Sequence, residues 1–319
     1  MPASDLELTV TATELVAKEV LRLTLAPPDG SYLPAWEPGA HIDLHFIGRG
    51  VDYIRQYSLC GPTGDRHQWQ IAVLLVSEGR GGSAHIHETF EKGQTVRVTG
   101  PRNNFPLVTA PSYLFIAGGI GITPLLPMMA QVASSGSPWQ LMYCGRTIDS
   151  MAFTDDVVAL GADRVHLHES DTDGLADLAA LISRTASDTA IYCCGPEPML
   201  NAVEEICAAA ATDRLHTERF ARRETLDESA DTTFEVEFAR SGVVVTVPTD
   251  RTVLEMAEEL GVDIDSSCQE GICGTCETRV LAGTPDHRDE VLGADERAAG
   301  KTMMVCVSRS CSPRLVLDA

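Results

Sequence analysis

The stretch Ser266–Cys276 reads SSCQEGICGTC and places Cys268, Cys273 and Cys276 in a C-x4-C-x2-C pattern. A fourth cysteine, Cys306, follows 30 positions after Cys276. Thiolates are good metal ligands, and a short loop that carries three of them can surround a compact inorganic group. The stretch therefore predicts a loop built around a metal centre.

The spacing of the four cysteines is that of the plant-type ferredoxin loop, in which four thiolates hold a [2Fe-2S] cluster. Gly271 and Gly274 permit the backbone angles that such a loop needs in order to point N–H groups at an anionic cluster. Structural zinc usually pairs two short C-x2-C knuckles, and only one is present here. Zinc and a redox-active thiol pair remain the alternatives to a predicted iron–sulfur site.

The first hundred residues alternate between apolar and polar positions with a period of two, which indicates strands. The clearest runs are LELTVTA, VLRLTLA, HIDLHF, WQIAVLLV and QTVRVTG. One helix candidate, SAHIHETF from Ser83 to Phe90, follows the glycines of GRGGS. The pattern predicts an antiparallel β-barrel domain over residues 1–104.

The pattern changes after residue 104, where the apolar runs YLFIA, QLMYC, RVHLH and AIYCC alternate with helix-like stretches. Such alternation predicts a parallel sheet with helices on both faces, here over residues 105–222. The polar run ARRETLDESADT predicts a linker at 223–232. The third domain, 233–319, carries the cysteines and is expected to be an α+β (β-grasp) ferredoxin domain.

Composition restricts the class of protein and its compartment. The chain of 319 residues is long enough for two or three domains, and its formal charge of -22 disfavours nucleic acid or an anionic membrane as partner. A basic surface on a partner protein is the better match. The N-terminus shows no basic segment followed by an apolar one, and ten cysteines fit a reducing compartment as ligands or buried residues. The expected location is the cytoplasm.

A one-electron cluster cannot take a hydride, so a chain driven by a nicotinamide needs a flavin between them. The run RQYSL, residues 55–59, matches the Arg-x-Tyr-Ser motif of the ferredoxin reductase superfamily. This resemblance implies that Arg55 pairs with the flavin phosphate, Tyr57 lies against the flavin and Ser58 hydrogen-bonds near N5. Gln56 in the same run and Ala72 in the strand run WQIAVLLV complete the flavin candidates in this part of the barrel.

The glycines before the helix candidate form the second part of the predicted flavin site. Gly81, Gly82 and Ser83 precede or open that helix, whose N-terminus offers N–H groups and a favourable dipole to a phosphate. A plain glycine turn with Ser83 as the N-cap is the alternative. Arg55 upstream favours the phosphate. The family resemblance described below implies FMN rather than FAD.

The first strand of the predicted parallel sheet is followed by AGGIGITP, residues 117–124, which opens a helix. The run departs from a strict GxGxxG fingerprint, so the dinucleotide site rests also on resemblance to the reductase superfamily. Its glycines would let the backbone approach a pyrophosphate, and Thr123 could cap the helix. The candidate residues are Gly118, Gly119, Gly121 and Thr123. A tight strand-to-helix turn is the alternative.

The ends of the later strands supply the remaining nicotinamide candidates. Arg146, in CGRT, could reach the adenosine ribose or a 2'-phosphate, and the nearby Asp149 favours NADH over NADPH. In CCGPEPM, the residues Cys194, Gly195 and Pro196 match the Cys-Gly-Pro motif that lies beside the nicotinamide in the superfamily. A buried structural cysteine is the alternative.

The three signatures follow one another in the order flavin, NAD, ferredoxin. GTPDHRDEVL from Gly283 and CVSRS from Cys306 resemble the segments around the fourth ligand in the phthalate dioxygenase reductase family, which includes vanillate demethylase reductases. The resemblance implies electron transfer from NADH through FMN and a [2Fe-2S] cluster to a separate Rieske-type oxygenase. It also implies that Phe220, in HTERF, shields the flavin, so that Ser58, Cys194 and Phe220 are the catalytic candidates.

Three alternatives to this function remain open from the sequence. The acceptor could be a cytochrome P450. The chain could be a self-contained NADH-dependent reductase of small molecules, or a zinc-stapled binding module without redox activity. No Cys-x-His pair for Rieske ligation occurs in the chain, so an oxygenase acceptor would be another polypeptide.

Overall fold

The structure is a computed structural model that describes residues 4–48, 50–77, 79, 81–221 and 231–319. Contacts divide the chain into two units, Met1–Glu218 and Arg219–Ala319, which are described separately below. The predicted linker, 223–232, lies outside the described residues except for its last two positions.

The first part of unit one is a six-stranded antiparallel sheet in the order β4-β3-β6-β1-β2-β5, curled into a half-barrel. Its elements are β1 (Ser4–Ala17), β2 (Val20–Ala26), β3 (Ala40–Gly48), β4 (Val51–Ser58), β5 (Trp69–Leu74), α1 (Gly82–Thr89) and β6 (Thr95–Asn103). The alternation in the sequence fills its interior, since Val96 and Val98 of β6 point inward between exposed neighbours. A bridge between Leu59 and Ile71 joins the chain after β4 to β5.

The second part of unit one is a five-stranded parallel sheet in the order β11-β10-β7-β8-β9. Its strands are β7 (Ser112–Gly118), β8 (Trp139–Gly145), β9 (Val165–Glu169), β10 (Thr189–Cys194) and β11 (Leu215–Glu218). Its α-helices are α2 (Ile122–Ser135), α3 (Thr154–Gly161), α4 (Ser170–Asp173), α5 (Leu178–Ser183) and α6 (Glu197–Ala209). The strand order reverses between β7 and β10, and ligands of such sheets bind at that crevice.

The two parts of unit one share a hydrophobic core. Ala72 of the half-barrel and Phe105 after it pack in the same cluster as Phe115 and Tyr143 of the parallel sheet. Tyr192 of β10 also crosses between the parts, because its hydroxyl accepts a hydrogen bond from Val108 N at 2.7 Å. The half-barrel and the parallel sheet are therefore fixed relative to each other.

Unit two contains a mixed five-stranded sheet in the order β13-β12-β18-β14-β16 and a two-stranded ribbon of β15 and β17. The strands are β12 (Phe234–Phe238), β13 (Val243–Val247), β14 (Glu277–Ala282), β15 (Pro285–Asp286), β16 (Thr302–Met304), β17 (Arg309–Ser310) and β18 (Arg314–Leu317), and the helices are α7 (Val253–Glu259) and α8 (Ala294–Ala299). A capping box between Thr252 and Glu255 begins α7. The predicted fold class of each of the three domains is confirmed.

The apolar run after Asn104 resolves into β7 and α2, with Pro127 inside the helix. Among the described residues, none of the helices is both long and apolar enough to cross a membrane.

Candidate cofactor and cluster sites

The four cysteines of the predicted cluster lie together in unit two, and all four are buried, with between 2% and 7% of their surface exposed. They form two contacting pairs, Cys268 with Cys273 and Cys276 with Cys306, in which one thiol hydrogen-bonds to the other sulfur. A two-iron cluster needs two thiolates for each iron. The paired arrangement therefore matches a [2Fe-2S] centre.

Hydrogen bonds to sulfur favour the charged form of these ligands. Glu270 N donates to Cys268 Sγ at 3.3 Å, and Thr275 N donates to Cys273 Sγ at 3.4 Å. The bond from the Cys268 thiol lowers the pKa of Cys273 to about 6, and the bond from the Cys306 thiol likewise lowers the pKa of Cys276. Lowered pKa values favour thiolates at Cys273 and Cys276, which are donors suited to a soft, positively charged metal centre.

The zinc alternative can be tested against the same geometry. Across the described ranges, no three or more His, Cys, Asp or Glu side chains converge where one metal ion could bind them together. A structural zinc ion needs four ligands at one centre. The arrangement in two contacting thiol pairs matches the two ligands that each iron of a binuclear cluster needs.

Gly271 is required by crowding as well as by its backbone angle. Its φ is +72°, and a Cβ at this position would lie 2.6 Å from Val307 Cγ2 and 3.1 Å from Asp289 Cα. Gly274, with φ of +78°, shares the left-handed conformation. Both glycines have the backbone conformation that the sequence predicted for the loop.

The N-terminus of α1 is the predicted flavin phosphate site. Gly81, in the left-handed region with φ of +83°, is the N-cap and forms no side-chain cap. The Arg55 guanidinium lies against this turn, because a Cβ on Gly82 would be 2.9 Å from Arg55 Nε. The helix therefore begins with uncapped N–H groups beside a guanidinium, which suits an anion.

The alternative role for Ser83 as N-cap is wrong. Its hydroxyl instead accepts a hydrogen bond from Val76 N at 3.1 Å and so ties the helix to the end of β5.

The remaining flavin candidates fall on two faces of β4. In the antiparallel register Tyr57 lies opposite Ile42, and Ser58 lies opposite His41. Successive strand residues point to opposite faces, so Arg55 and Tyr57 share one face while Gln56 and Ser58 share the other. Burial raises the pKa of the Tyr57 phenol above its ordinary value. Residues on both faces of β4 can contact one flavin only if that flavin lies across the end of the strand. This condition applies to Gln56 and Ser58, which face away from Arg55 and Tyr57.

Two of the predicted flavin residues are already engaged with protein. Gln56 Nε2 donates to Asp43 Oδ1 at 3.4 Å, and Asp43 also forms a buried ion pair with Arg102. Ala72 is buried in the core shared with the parallel sheet. The structure therefore leaves Arg55, Tyr57 and Ser58 as the stronger flavin candidates.

Glycines at the carboxyl ends of β7 and β10 let the two loops of the crevice approach each other. A Cβ on Gly118 would lie 2.5 Å from Pro196 Cδ, and one on Gly121 would lie 2.2 Å from the Cys194 carbonyl oxygen. A Cβ on Gly195 would lie 3.0 Å from Gly118 Cα. The glycines thus bring the two predicted motifs into one site. Gly119, with φ of +52° and no atom within 4 Å, is the open position.

Thr123 does not cap α2, contrary to expectation. The helix begins at Ile122 after Gly121 and has no side-chain cap. Thr123 is buried, and its hydroxyl donates to the Ile120 carbonyl at 2.9 Å. Its place one residue inside the helix explains the difference, since the cap position belongs to a glycine.

The edge of the sheet where Arg146 was predicted to meet the adenosine carries acidic side chains. Arg146 is exposed after β8, and its carbonyl accepts from Asp171 N at 3.2 Å. Glu169 Oε2, at the end of β9, accepts from Ile148 N at 3.0 Å, and Asp149 is exposed nearby. Carboxylates next to Arg146 suit a ribose hydroxyl better than a second phosphate.

Glu218 is a candidate that sequence reasoning missed. It lies opposite Cys194 in the parallel register of β10 and β11, at the same sheet edge as the glycine crevice. Its Oε2 is buried and has no hydrogen-bond partner among the residues that the structure describes, and burial raises the pKa of this carboxyl to about 8. The pKa of the Cys194 thiol is raised well above its usual range. Burial is the larger cause, and Glu218 is the next largest. The sequence signal was a glutamate that ends a strand.

Phe220 is 41% exposed and belongs to unit two, which begins at Arg219. Its predicted shielding of a flavin remains a prediction.

Family models identify all three domains. A model for oxidoreductase FAD-binding domains matches residues 7–106, one for oxidoreductase NAD-binding domains matches 115–205, and one for 2Fe-2S iron–sulfur cluster binding domains matches 236–311. Together with the paired thiols and the glycine crevice, they define the class. The chain is an NADH-dependent oxidoreductase with flavin and iron–sulfur domains.

Full-length relatives identify the family. Tetrachlorobenzoquinone reductase of Sphingobium chlorophenolicum is 41% identical over 324 residues, covering 99% of each chain. Vanillate O-demethylase oxidoreductase of Pseudomonas sp. (strain HR199 / DSM 7063) is 39% identical, covering 98% of this chain and 99% of the relative. The solved structure of phthalate dioxygenase reductase matches with a TM-score of 0.72 and 34% identity over 99% of this chain and 98% of that one. The chain belongs to the phthalate dioxygenase reductase family.

The whole chain also matches part of a longer solved structure. An intact type IV self-sufficient cytochrome P450 monooxygenase matches 99% of this chain with a TM-score of 0.90 and 43% identity, and the chain spans 41% of that protein.

Proposed function

We propose that the chain is the reductase component of an oxygenase system, which delivers electrons from NADH to a separate Rieske-type oxygenase. The observation that carries the proposal is the presence of two buried thiol pairs in the same chain as a flavin domain and an NAD domain. When bound, the flavin takes a hydride and releases electrons singly, and the cluster carries them one at a time. Relatives named for dioxygenase and demethylase systems support an oxygenase as acceptor.

The residues of this chain would act by position and electrostatics. The four cysteines would ligate the cluster, with Cys268 and Cys273 on one iron and Cys276 and Cys306 on the other. The N–H groups that already point at the sulfurs would stabilise its negative charge.

At the flavin, Arg55 and the start of α1 would bind the phosphate, Tyr57 would lie against the ring, and Ser58 would hydrogen-bond near its N5. The single uncapped helix end fits one phosphate, which together with the family resemblance favours FMN. The matching family model is described as FAD-binding, so the identity of the flavin needs its own test. Heat release of the flavin followed by chromatography distinguishes the mononucleotide from the dinucleotide.

At the nicotinamide, the Gly118 and Gly195 loops would hold the dinucleotide with Cys194 beside the ring. Glu218, opposite Cys194 on the neighbouring strand, would hold a proton at pH 7 because burial raises its pKa to about 8. Phe220 would cover the flavin until the nicotinamide arrives. Domain limits of 1–104, 105–222 and 233–319 and a cytoplasmic location complete the proposal, the latter because ten cysteines fit a reducing compartment as metal ligands or buried residues.

The test is a coupled assay with purified candidate oxygenases. We expect steady-state NADH oxidation to depend on the added oxygenase. This oxygenase-dependent turnover is expected to be abolished by loss of the cluster. NADH-dependent turnover of a small molecule that survives loss of the cluster would instead favour a self-contained reductase.

A cytochrome P450 is the second candidate acceptor. The match to a self-sufficient P450, at 43% identity over 99% of this chain, favours it. Reduction of a separate P450 at a rate above that of any Rieske oxygenase would select this alternative.

A further inference from the structure

Two charged residues, one before the predicted linker and one near its end, are bound within unit two. Before the linker, Arg219 Nε lies 3.6 Å from Glu290 Oε2, and both side chains are buried, at 4% and 14% exposure. Near its end, Asp231 accepts a hydrogen bond from Arg288 Nη1 at 3.1 Å and pairs with Arg309 Nε at 3.4 Å. We call these contacts the linker clamp.

The clamp residues Arg288 and Glu290 belong to a segment that is bonded to the cluster loop. Glu290 N donates to the Gly271 carbonyl at 2.8 Å, and Gly271 lies between two cysteine ligands. Arg288 N donates to Ser308 Oγ at 3.2 Å, two residues after Cys306. One short segment, 288–290, therefore binds the linker ends on one side and the cluster loop on the other.

The burial of the Arg219 pair distinguishes it from surface ion pairs of the same domain. Exposed pairs such as Arg314–Glu237, at 46% and 34% exposure, contribute little because water and salt screen them. Burying a guanidinium without a carboxylate partner is unfavourable. The ion pair with Glu290 therefore holds the Arg219 side chain in its buried position. Arg219 directly follows Glu218, the last residue of β11.

We propose that the Arg219–Glu290 pair positions the cluster for electron transfer by setting the tether between the two units, an inference that rests on the proposed function. With the pair formed, the tether from Glu218 to the clamped chain is one peptide, about 4 Å between Cα atoms. With the pair broken, the tether runs from Glu218 to Asp231. A chain of thirteen residue steps can span up to about 45 Å when fully extended. A longer tether lowers the effective concentration of the cluster at the flavin, by about tenfold or more over this range.

The test measures flavin reduction by NADH and subsequent cluster reduction in one anaerobic stopped-flow experiment on the holoprotein. We expect Glu290→Gln and Arg219→Gln to slow the cluster phase about tenfold, with the flavin phase unchanged. Glu237→Gln, which breaks an exposed pair of the same domain, is the matched control and is expected to leave both phases unchanged. Iron and sulfide content and the paramagnetic resonance spectrum of the reduced cluster report whether the cluster itself is intact.

Two insertions test the tether without altering the ion pair. Five Gly/Ser residues between Glu218 and Arg219 lengthen the tether and should slow the cluster phase. The same insertion between Leu226 and Asp227 lies between the two clamped ends and should leave it unchanged.

Equal effects of the two insertions, or a wild-type cluster phase in Glu290→Gln and Arg219→Gln with intact clusters, would overturn the proposal. Failure of the proposed function looks different, because the wild-type protein would then show no NADH-driven cluster phase at all.

Discussion

Gly121→Ala tests whether the glycine crevice holds the nicotinamide. The backbone of Gly121 has φ of -62° and ψ of -5°, which alanine adopts without strain, so the effect of the substitution comes from space alone. The new Cβ would lie 2.2 Å from the Cys194 carbonyl oxygen, 2.4 Å from its carbon and 2.8 Å from Gly195 N. All three atoms are backbone. The loops after β7 and β10 must therefore separate by about 1 Å, as overpacked interiors do at a cost of about 1–3 kcal/mol.

A shift of that size moves the Cys194 loop relative to the flavin. Misplacement of reacting groups by about 1 Å can slow a reaction about 100-fold. We expect NADH-to-flavin hydride transfer, measured by anaerobic stopped-flow absorbance, to fall by about that factor while flavin content is unchanged. Gly64→Ala is the matched control, because nothing lies within 4 Å of a Cβ there. Hydride transfer in folded Gly121→Ala within twofold of wild type would refute the proposed role of the crevice.

Three further predictions address the other sites. Cys306→Ser is expected to reduce NADH-dependent cytochrome c reduction to background while NADH still bleaches the flavin. Cys311→Ser, at the exposed cysteine, is the control. Cytochrome c reduction retained in Cys306→Ser would contradict the assignment of Cys306 as a cluster ligand. Arg55→Gln is expected to weaken FMN binding about 10- to 100-fold through loss of a charge-assisted hydrogen bond, measured by flavin fluorescence, whereas Arg97→Gln, in an exposed pair with Asp5, should not. Because the pKa of Glu218 is raised from 4.5 to about 8, its contribution to stability is present below pH 4.5 and is lost as pH rises to about 8. Glu218→Gln should therefore increase the free energy of unfolding, measured by urea denaturation, by a few kcal/mol at pH 9 and not at pH 4. Equal gains at both pH values would contradict a buried carboxyl at this position.

The parts of the fold that local patterns encode were predictable from the sequence. Alternating apolar residues mark the strands of the half-barrel, and β-strand and helix runs mark the parallel sheet, because burial of one face follows chain periodicity. The C-x4-C-x2-C loop was predictable because the spacing of three ligands is set within nine residues. Gly271 has the left-handed angle expected of it.

Features that depend on distant residues were not predictable. The N-cap roles of Ser83 and Thr123 were wrong because a glycine occupies each cap position, and only the structure fixes the residue at which each helix begins. The burial of Glu218 follows from its register with Cys194, and the Arg219–Glu290 pair joins residues 71 positions apart. Neither carries a local pattern, so each required the structure.

The most direct test of the account is anaerobic addition of NADH to the purified protein, followed by paramagnetic resonance of the frozen sample and chemical analysis for iron and sulfide. The account predicts a bleached flavin, the signal of a reduced [2Fe-2S] cluster, and about two irons and two sulfides in each chain. A bleached flavin without that signal, in protein that contains zinc or no metal at the four cysteines, would contradict it.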